Sequence, residues 1–272
     1  MILEQTYNLL KSKYLKEIEK LVISDVRIGL YLTAVRLSDN SVGTSSTLPG
    51  EHPLCSKHSR DFGDFTPLRI RGKRVTDILE TEKRSGIIPS LKTAVLNAIS
   101  SKIILSGKYR IIEDCDPIQL VDLDKEKTIS IVGAFQSYIR KITGTHNRLF
   151  VLELNGNALP GELQKYYVPA DDFQKIIPVS DVVIITGQTL VNSTLDDILS
   201  VISPGSQVIV TGPSGNILPD VLFEKGVSII GGTRITRPEI LFNIVSEGGL
   251  GYHLFEYCAS KICILKQDDR KA

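Results

Sequence analysis

The 272-residue chain has no tryptophan, one methionine, at its start, and four cysteines. The cysteines (Cys55, Cys115, Cys258 and Cys263) are widely scattered, which excludes a small fold stapled by disulfides. An excess of either charge is also missing, since 32 Lys+Arg face 31 Asp+Glu. No basic field is therefore available to draw in nucleic acid or an anionic membrane. No apolar run approaches the roughly 20 residues that cross a bilayer. A basic start, apolar stretch and small-residue cleavage site are absent as well, so a cytoplasmic protein with reduced thiols is expected. What remains is a composition with 42% hydrophobic and 23% charged residues, that of a globular protein with room for two domains.

The most informative stretch is Val182–Leu199. Val182-Val183-Ile184-Ile185 is a short β-branched run, the mark of a strand buried on both faces. Small polar residues follow at once, from Thr186 and Gly187 through Thr189, Asn192, Ser193 and Thr194. Leu195, Ile198, Leu199 and Ile202 then fall at helical spacing, with Asp196 and Asp197 in the first turn. A strand, a small-polar loop and a capped helix place ligands at the carboxyl edge of a parallel sheet. The pattern recurs at Gln207–Thr211 followed by Gly212-Pro213-Ser214. It recurs again at Val227–Ile230 followed by Gly231-Gly232-Thr233-Arg234, where Arg234 could pair with a carboxylate or phosphate.

Upstream, Thr128–Val132 leads into Gly133, and Leu149–Leu154 makes a second strand. Glu153 stands about 20 residues past Gly133, where a ribose-binding carboxylate would sit. The dinucleotide fingerprint lacks its second glycine, and Phe135 in that turn would obstruct a pyrophosphate, which disfavours NAD and FAD. Alternating strands and helices across this half predict a doubly wound parallel sheet.

The first half reads differently. Leu3, Tyr7, Leu10, Tyr14, Ile18 and Leu21 make an amphipathic helix, whose apolar stripe could pack within the chain or against a second copy. Val26, Ile28, Leu30 and Leu32 alternate as one strand, with a possible bulge near Thr33-Ala34-Val35. Asp39-Asn40 marks a hairpin turn and Ser41–Leu48 its return strand. Ser90 is expected to cap a helix carrying Leu91, Ala94, Val95, Ala98 and Ile99. The expected division is an α+β unit over 1–124 and a parallel α/β unit over 125–272. His52, Cys55 and His58, spaced three apart, are candidate transition-metal ligands, with an ordinary polar loop as the alternative. The basic cluster Arg69, Arg71, Lys73 and Arg74 reads as a solvated face, with an anion contact as the alternative.

Val132-Gly133-Ala134-Phe135, Thr186–Thr194, Gly212-Pro213-Ser214 and Gly231–Arg234 occur in the order of a known family, continuing to Pro238-Glu239 and Glu247-Gly248-Gly249. In these motifs the chain resembles the heavy-metal chelation family. The resemblance implies a small domain similar to the N-terminal part of enolase followed by a Rossmann-like domain, with a cleft between them. Ile28-Gly29, Thr33-Ala34-Val35 and Asp39–Gly43 resemble the smaller domain's hairpin. It further implies a small heterocyclic or carboxylate-bearing ligand, and condensation or hydrolysis in making pterin-, flavin- or siderophore-like chelators. The expected ligand-binding set is Thr47, Gly133, Glu153, Thr186, Gly187, Thr189, Asn192, Thr194, Gly212, Pro213, Ser214, Thr233 and Arg234. Glu51 is the candidate for acid–base work. The alternatives are a non-catalytic binder of metal–chelator complexes and an S-adenosylmethionine-dependent methyltransferase with Glu153 on the ribose. The sequence identifies no cofactor.

Overall fold

The computed structural model describes residues 1–48, 63–84 and 86–266. Helix α1 (Ile2–Ile18) buries Ile2, Tyr7, Leu10 and Ile18. That stripe joins the core of the same chain rather than being left for a second copy. Strands β1 (Ile23–Ile28), β2 (Leu32–Leu37) and β3 (Val42–Ser46) follow as an antiparallel meander. The alternation from Val26 to Leu32, expected as one strand, is split by a turn closed by the Gly29 N–H donating to Leu32 O at 2.9 Å. Glycine is required there because a Cβ would lie 2.1 Å from Val245 O. The hairpin turn at Asp39-Asn40 forms as expected, with Asn40 in the left-handed region at φ 65.

After α2 (Val75–Glu80), helix α3 (Ile88–Ile104) lies across the meander. Its start is set by Pro89 in the first turn, so Ser90 lies inside the helix rather than at its cap. Ser90 instead ties the helix to the sheet. Its hydroxyl accepts from Leu48 N at 3.3 Å and its carbonyl accepts from the Ser45 hydroxyl at 2.7 Å. Gly43 allows this close packing, since a Cβ there would come within 2.2 Å of Ala94 O and 2.3 Å of Ala98 N. Three antiparallel strands with helices on one face make the small enolase N-terminal-like unit.

The Rossmann-like second sheet is built from β4 (Arg110–Glu113), β5 (Thr128–Val132), β6 (Arg148–Glu153), β7 (Tyr167–Pro169), β8 (Val182–Thr186), β9 (Gln207–Thr211), β10 (Ile229–Ile235) and β11 (Ala259–Leu265). Their order is β4-β11-β10-β9-β8-β5-β6-β7. The run from β10 to β7 is parallel throughout. At the far edge β11 and β4 run antiparallel, making the sheet mixed rather than wholly parallel. β4 contributes to this sheet although the chain has only just left α3. A second departure is that Gly231–Arg234, expected as a loop, lies inside β10 and pairs with Cys263–Ser260.

Helices connect the strands: α4 (Gln136–Thr143), α5 (Phe173–Ile176), α6 (Gln188–Val191), α7 (Leu195–Ser200), α8 (Pro219–Glu224), α9 (Pro238–Ser246) and α10 (Gly251–Tyr257). Alternate residues of each strand enter different cores. Val183, Ile185, Val208, Val210, Ile230, Ile262 and Ile264 face the N-terminal unit, whereas Ile129, Ile131, Ile184, Ile209, Ile229 and Cys263 face α4. Among the described residues no helix is long and apolar enough to cross a membrane.

Because Gly43 has backbone and not a flexible side chain against it, Gly43→Ala should force β3 off α3. We expect a loss of about 1–3 kcal/mol, the usual cost of overpacking. Chemical denaturation of the variant beside the wild type measures it.

Candidate functional site

In the parallel run the strand order reverses direction between β5 and β8, and sheets of this kind bind ligands at the carboxyl ends of such a switch point. Gly133 ends β5 there with φ 104, a conformation suited to glycine. A Cβ on Gly133 would meet Thr186 Cγ2 at 3.1 Å and Phe135 Cε2 at 3.7 Å, so the turn is closely covered by both side chains. Thr186 ends β8 half-buried, and its hydroxyl accepts from Gln188 N at 3.3 Å. Thr189, inside α6, turns its hydroxyl back onto Thr186 O at 2.6 Å. Gly187 is a packing glycine, because a Cβ would fall 2.6 Å from Gly215 N.

The loop after β9 joins the two units. Gly212 adopts φ 113 and directs Pro213–Gly215 against β3. Ser214 is wholly buried; its hydroxyl accepts from Ser46 N at 2.7 Å and donates to Ser46 Oγ at 3.1 Å. Asn97, from α3, donates through Nδ2 to Thr44 O at 2.6 Å, Ser214 O at 3.1 Å and Pro213 O at 3.2 Å. Ser214 and Pro213 therefore meet the smaller unit directly. Thr47 lies just past this joint, its hydroxyl 2.8 Å from that of Thr33.

The other residues singled out in the sequence are dispersed. Asn192 Oδ1 accepts from Thr194 Oγ1 at 2.7 Å, within an exposed turn beside the start of α1. Glu153 Oε1 accepts from Leu154 N at 2.8 Å and Asn155 N at 3.2 Å, closing its own loop. Arg234 pairs with Glu113 at 2.8 Å, and its buried Nε has no hydrogen-bond partner. Strand alternation sends Arg234 and Thr233 to opposite faces. Glu51, His52, Cys55 and His58 lie outside the described residues. Among the described residues no group of three or more His, Cys, Asp or Glu side chains is placed to hold a metal ion.

A polar cluster that the spacing did not reveal occupies the carboxyl edge on the face turned to α4. Thr186 and Thr211 are register partners there. Thr233 lies farther along the neighbouring strand on the same face, with Gly231 between it and Thr211 in the pairing. The Tyr138 phenol, from α4, donates to Asp116 Oδ1 and lies near Thr211. Lys261 donates to Asp116 Oδ2 and is the β11 register partner of Thr233. Burial, then the bond to Asp116 and its negative charge, hold the Tyr138 phenol far above the ordinary tyrosine value. Asp116 and Lys261 are separated by 145 positions in sequence, which is why neither spacing nor motif joined them. Cys115 and Cys263 border this cluster as buried thiols, with burial pushing Cys263 upward.

Comparison with known proteins gives a consistent picture. A family model described as "Putative heavy-metal chelation" (DUF364) matches residues 116–264, and a second model of the same description (DUF4213) matches 11–100. An uncharacterised protein of Methanocaldococcus jannaschii is 26% identical over 244 residues, covering 86% of this chain and 85% of its own. A DUF364 protein of unknown function from Pyrococcus horikoshii superposes with TM-score 0.77 at 22% identity, over 97% of this chain and all of its own. One from Desulfitobacterium hafniense gives 0.72 at 19%, with the same coverage of this chain. At those identities the two structures establish the fold.

Two measurements follow from this geometry. Ser214→Ala should cost about 1–3 kcal/mol by stranding Ser46 N, and Asn97→Ala more, because three carbonyls lose a donor. Unchanged denaturation midpoints would show that the joint is not held by these bonds. Tyr138 and Tyr109, the latter bonded to Asp220 and also raised, keep their protons in the folded chain at pH values where an unfolded tyrosine ionises. The unfolded state then binds fewer protons, so stability should fall as pH rises above about 10. Tyrosinate absorbance from these two should appear only as the chain unfolds.

Proposed function

The chain belongs to the family described as putative heavy-metal chelation, and from that premise we propose that it binds a small polar ligand at the carboxyl edge of its larger sheet, beside the smaller unit. The ligand is heterocyclic or carboxylate-bearing, and the reaction is a condensation or hydrolysis in making a metal chelator. The observation that carries the reading is the β5/β8 switch point, where sheets of this kind have their ligand crevice and where Gly133 and Thr186 lie in close contact past the strand ends. Phe135 beside that turn obstructs a pyrophosphate and so favours a ligand without one. The two-domain arrangement supports the same place, because Thr47 and the Ser46–Ser214 contact bring the smaller unit's hairpin to this edge.

A binder of preformed metal–chelator complexes is the second reading. It draws on the engagement of Ser214, Glu153 and Arg234 in bonds within the chain, which leaves few of the expected polar groups free for chemistry. The same engagement of Glu153 weighs against S-adenosylmethionine, since its Oε1 already closes a loop.

Thermal unfolding with a pterin, flavin mononucleotide, S-adenosylmethionine and a metal-loaded chelator separates these readings. A ligand at about 100 times its Kd adds roughly 2.7 kcal/mol of apparent stability. The reading expects the pterin or flavin to raise Tm in wild type and not in Thr186→Val, whose fold should survive loss of one hydroxyl. Stabilisation by the loaded chelator alone, without turnover, would select the binder. A shift that persists in Thr186→Val would remove the crevice from consideration.

A further inference from the structure

The hydroxyl of Thr233 is a buried polar group at the sheet's edge that no group of the chain satisfies. Thr233 is 3% exposed, and its Oγ1 is buried without a hydrogen-bond partner. Leaving such a group unpaired is costly, so its persistence points to an occupant that bonds to it. Its surroundings are specific. Directly opposite on β11 is Lys261, whose ammonium donates to Asp116; Asp116 also accepts from Tyr138, and Tyr138 lies near Thr211 on β9. Pro117, next to Asp116, and Thr211 press on Gly231 of β10, two residues before Thr233 on the same face. The pair reaches solvent at Lys261, whose side chain is 43% exposed against 19% for Asp116. Phe255 supports that ammonium with its ring centroid at 5.3 Å.

We infer that Thr233, Lys261, Asp116 and Tyr138 form a subsite for the zwitterionic head of an α-amino acid or of a ligand built from one. The argument is electrostatic. A ligand entering here must part Asp116 from Lys261, and each charge then needs a replacement partner. A lone anion would satisfy Lys261 while facing the Asp116 carboxylate, and a lone cation would do the reverse. An ammonium and a carboxylate on one carbon replace both partners together. The amine lies against Asp116, and the carboxylate accepts from Lys261 and the Thr233 hydroxyl. Tyr138 stays a neutral donor and keeps the Asp116 carboxylate aimed. The ligand's own two charges offset the parting of the ion pair, since each protein charge gains a new partner.

This names a ligand class for the edge proposed above and rests on that reading, yet the two fail separately. The probes are free L-amino acids, with ethanolamine and glycolate as single-charge controls, measured by thermal shift and calorimetry on the whole chain. An amino acid should bind, the controls should not, and Thr233→Val and Lys261→Met should each weaken binding at least tenfold. Thr233→Val should leave the unliganded Tm equal to or above wild type, because it removes an unpaired buried hydroxyl, so a folding defect cannot imitate the result. The inference is overturned if no amino acid binds, if both variants bind as wild type does, or if glycolate binds as tightly as the amino acid. Amino-acid binding with no response to the pterin or flavin sinks only the crevice reading. The opposite pattern sinks only this one.

Discussion

The side-chain amide of Asn97 is the contact on which the arrangement of the two units depends. It is 1% exposed, and one nitrogen serves carbonyls from both units, Thr44 on one side and Pro213 and Ser214 on the other. Buried carbonyls left without a donor would destabilise the joint, so this amide fixes where the loop after β9 can lie. The consequences pass along backbone contacts. Gly215 sits against Gly187, Gly187 follows Thr186, and Thr186 covers Gly133. The β5/β8 switch point is thus shaped from the domain joint outward.

Much of the fold was legible because it depends on local pattern. The β-branched runs at Thr128–Val132, Val182–Thr186 and Gln207–Thr211 are strands, and each sits where continuous apolarity requires burial on two faces. The amphipathic stripe of α1 and the Asp39-Asn40 turn are equally local signals. What escaped was decided by distant contacts. Arg110–Glu113 is too short and too charged at its ends to announce itself, and becomes a strand only because β11 offers an edge. Gly29 breaks an apparent strand because Val245 O stands where its side chain would be.

Glycine was the more instructive case. Gly187, Gly212 and Gly231 all suggest a loop that exposes backbone to a ligand, and the residues next to them suggest polar contacts. Gly212 does need its positive φ, but Gly187 and Gly231 are small because other groups press on them. A Cβ on Gly231 would lie 2.2 Å from Thr211 Oγ1 and 2.4 Å from Pro117. The same composition thus serves close packing inside a strand and a permissive turn, and no spacing rule tells them apart. The misjudged end of β10 followed directly, and with it the side to which Thr233 and Arg234 point.

That side matters because the two faces of the larger sheet carry different demands. Toward the N-terminal unit, hydrogen bonds fasten one unit to the other or brace the edge: Ser214 with Ser46, Asn97 Nδ2 with three carbonyls, and Asn216 with both N and O of Thr233. Asn97 Oδ1 and Arg234 Nε are left over. Toward α4, a carboxylate, an ammonium and a phenol are drawn from three separate segments, while a threonine hydroxyl beside them stays unmatched. Stability alone does not favour this second arrangement, since apolar residues of similar size would often hold the same elements as well. Bonds that fasten the units explain the first face. The second calls for a partner that brings its own charges, which is why the charged head of a ligand at this edge belongs on the face turned to α4.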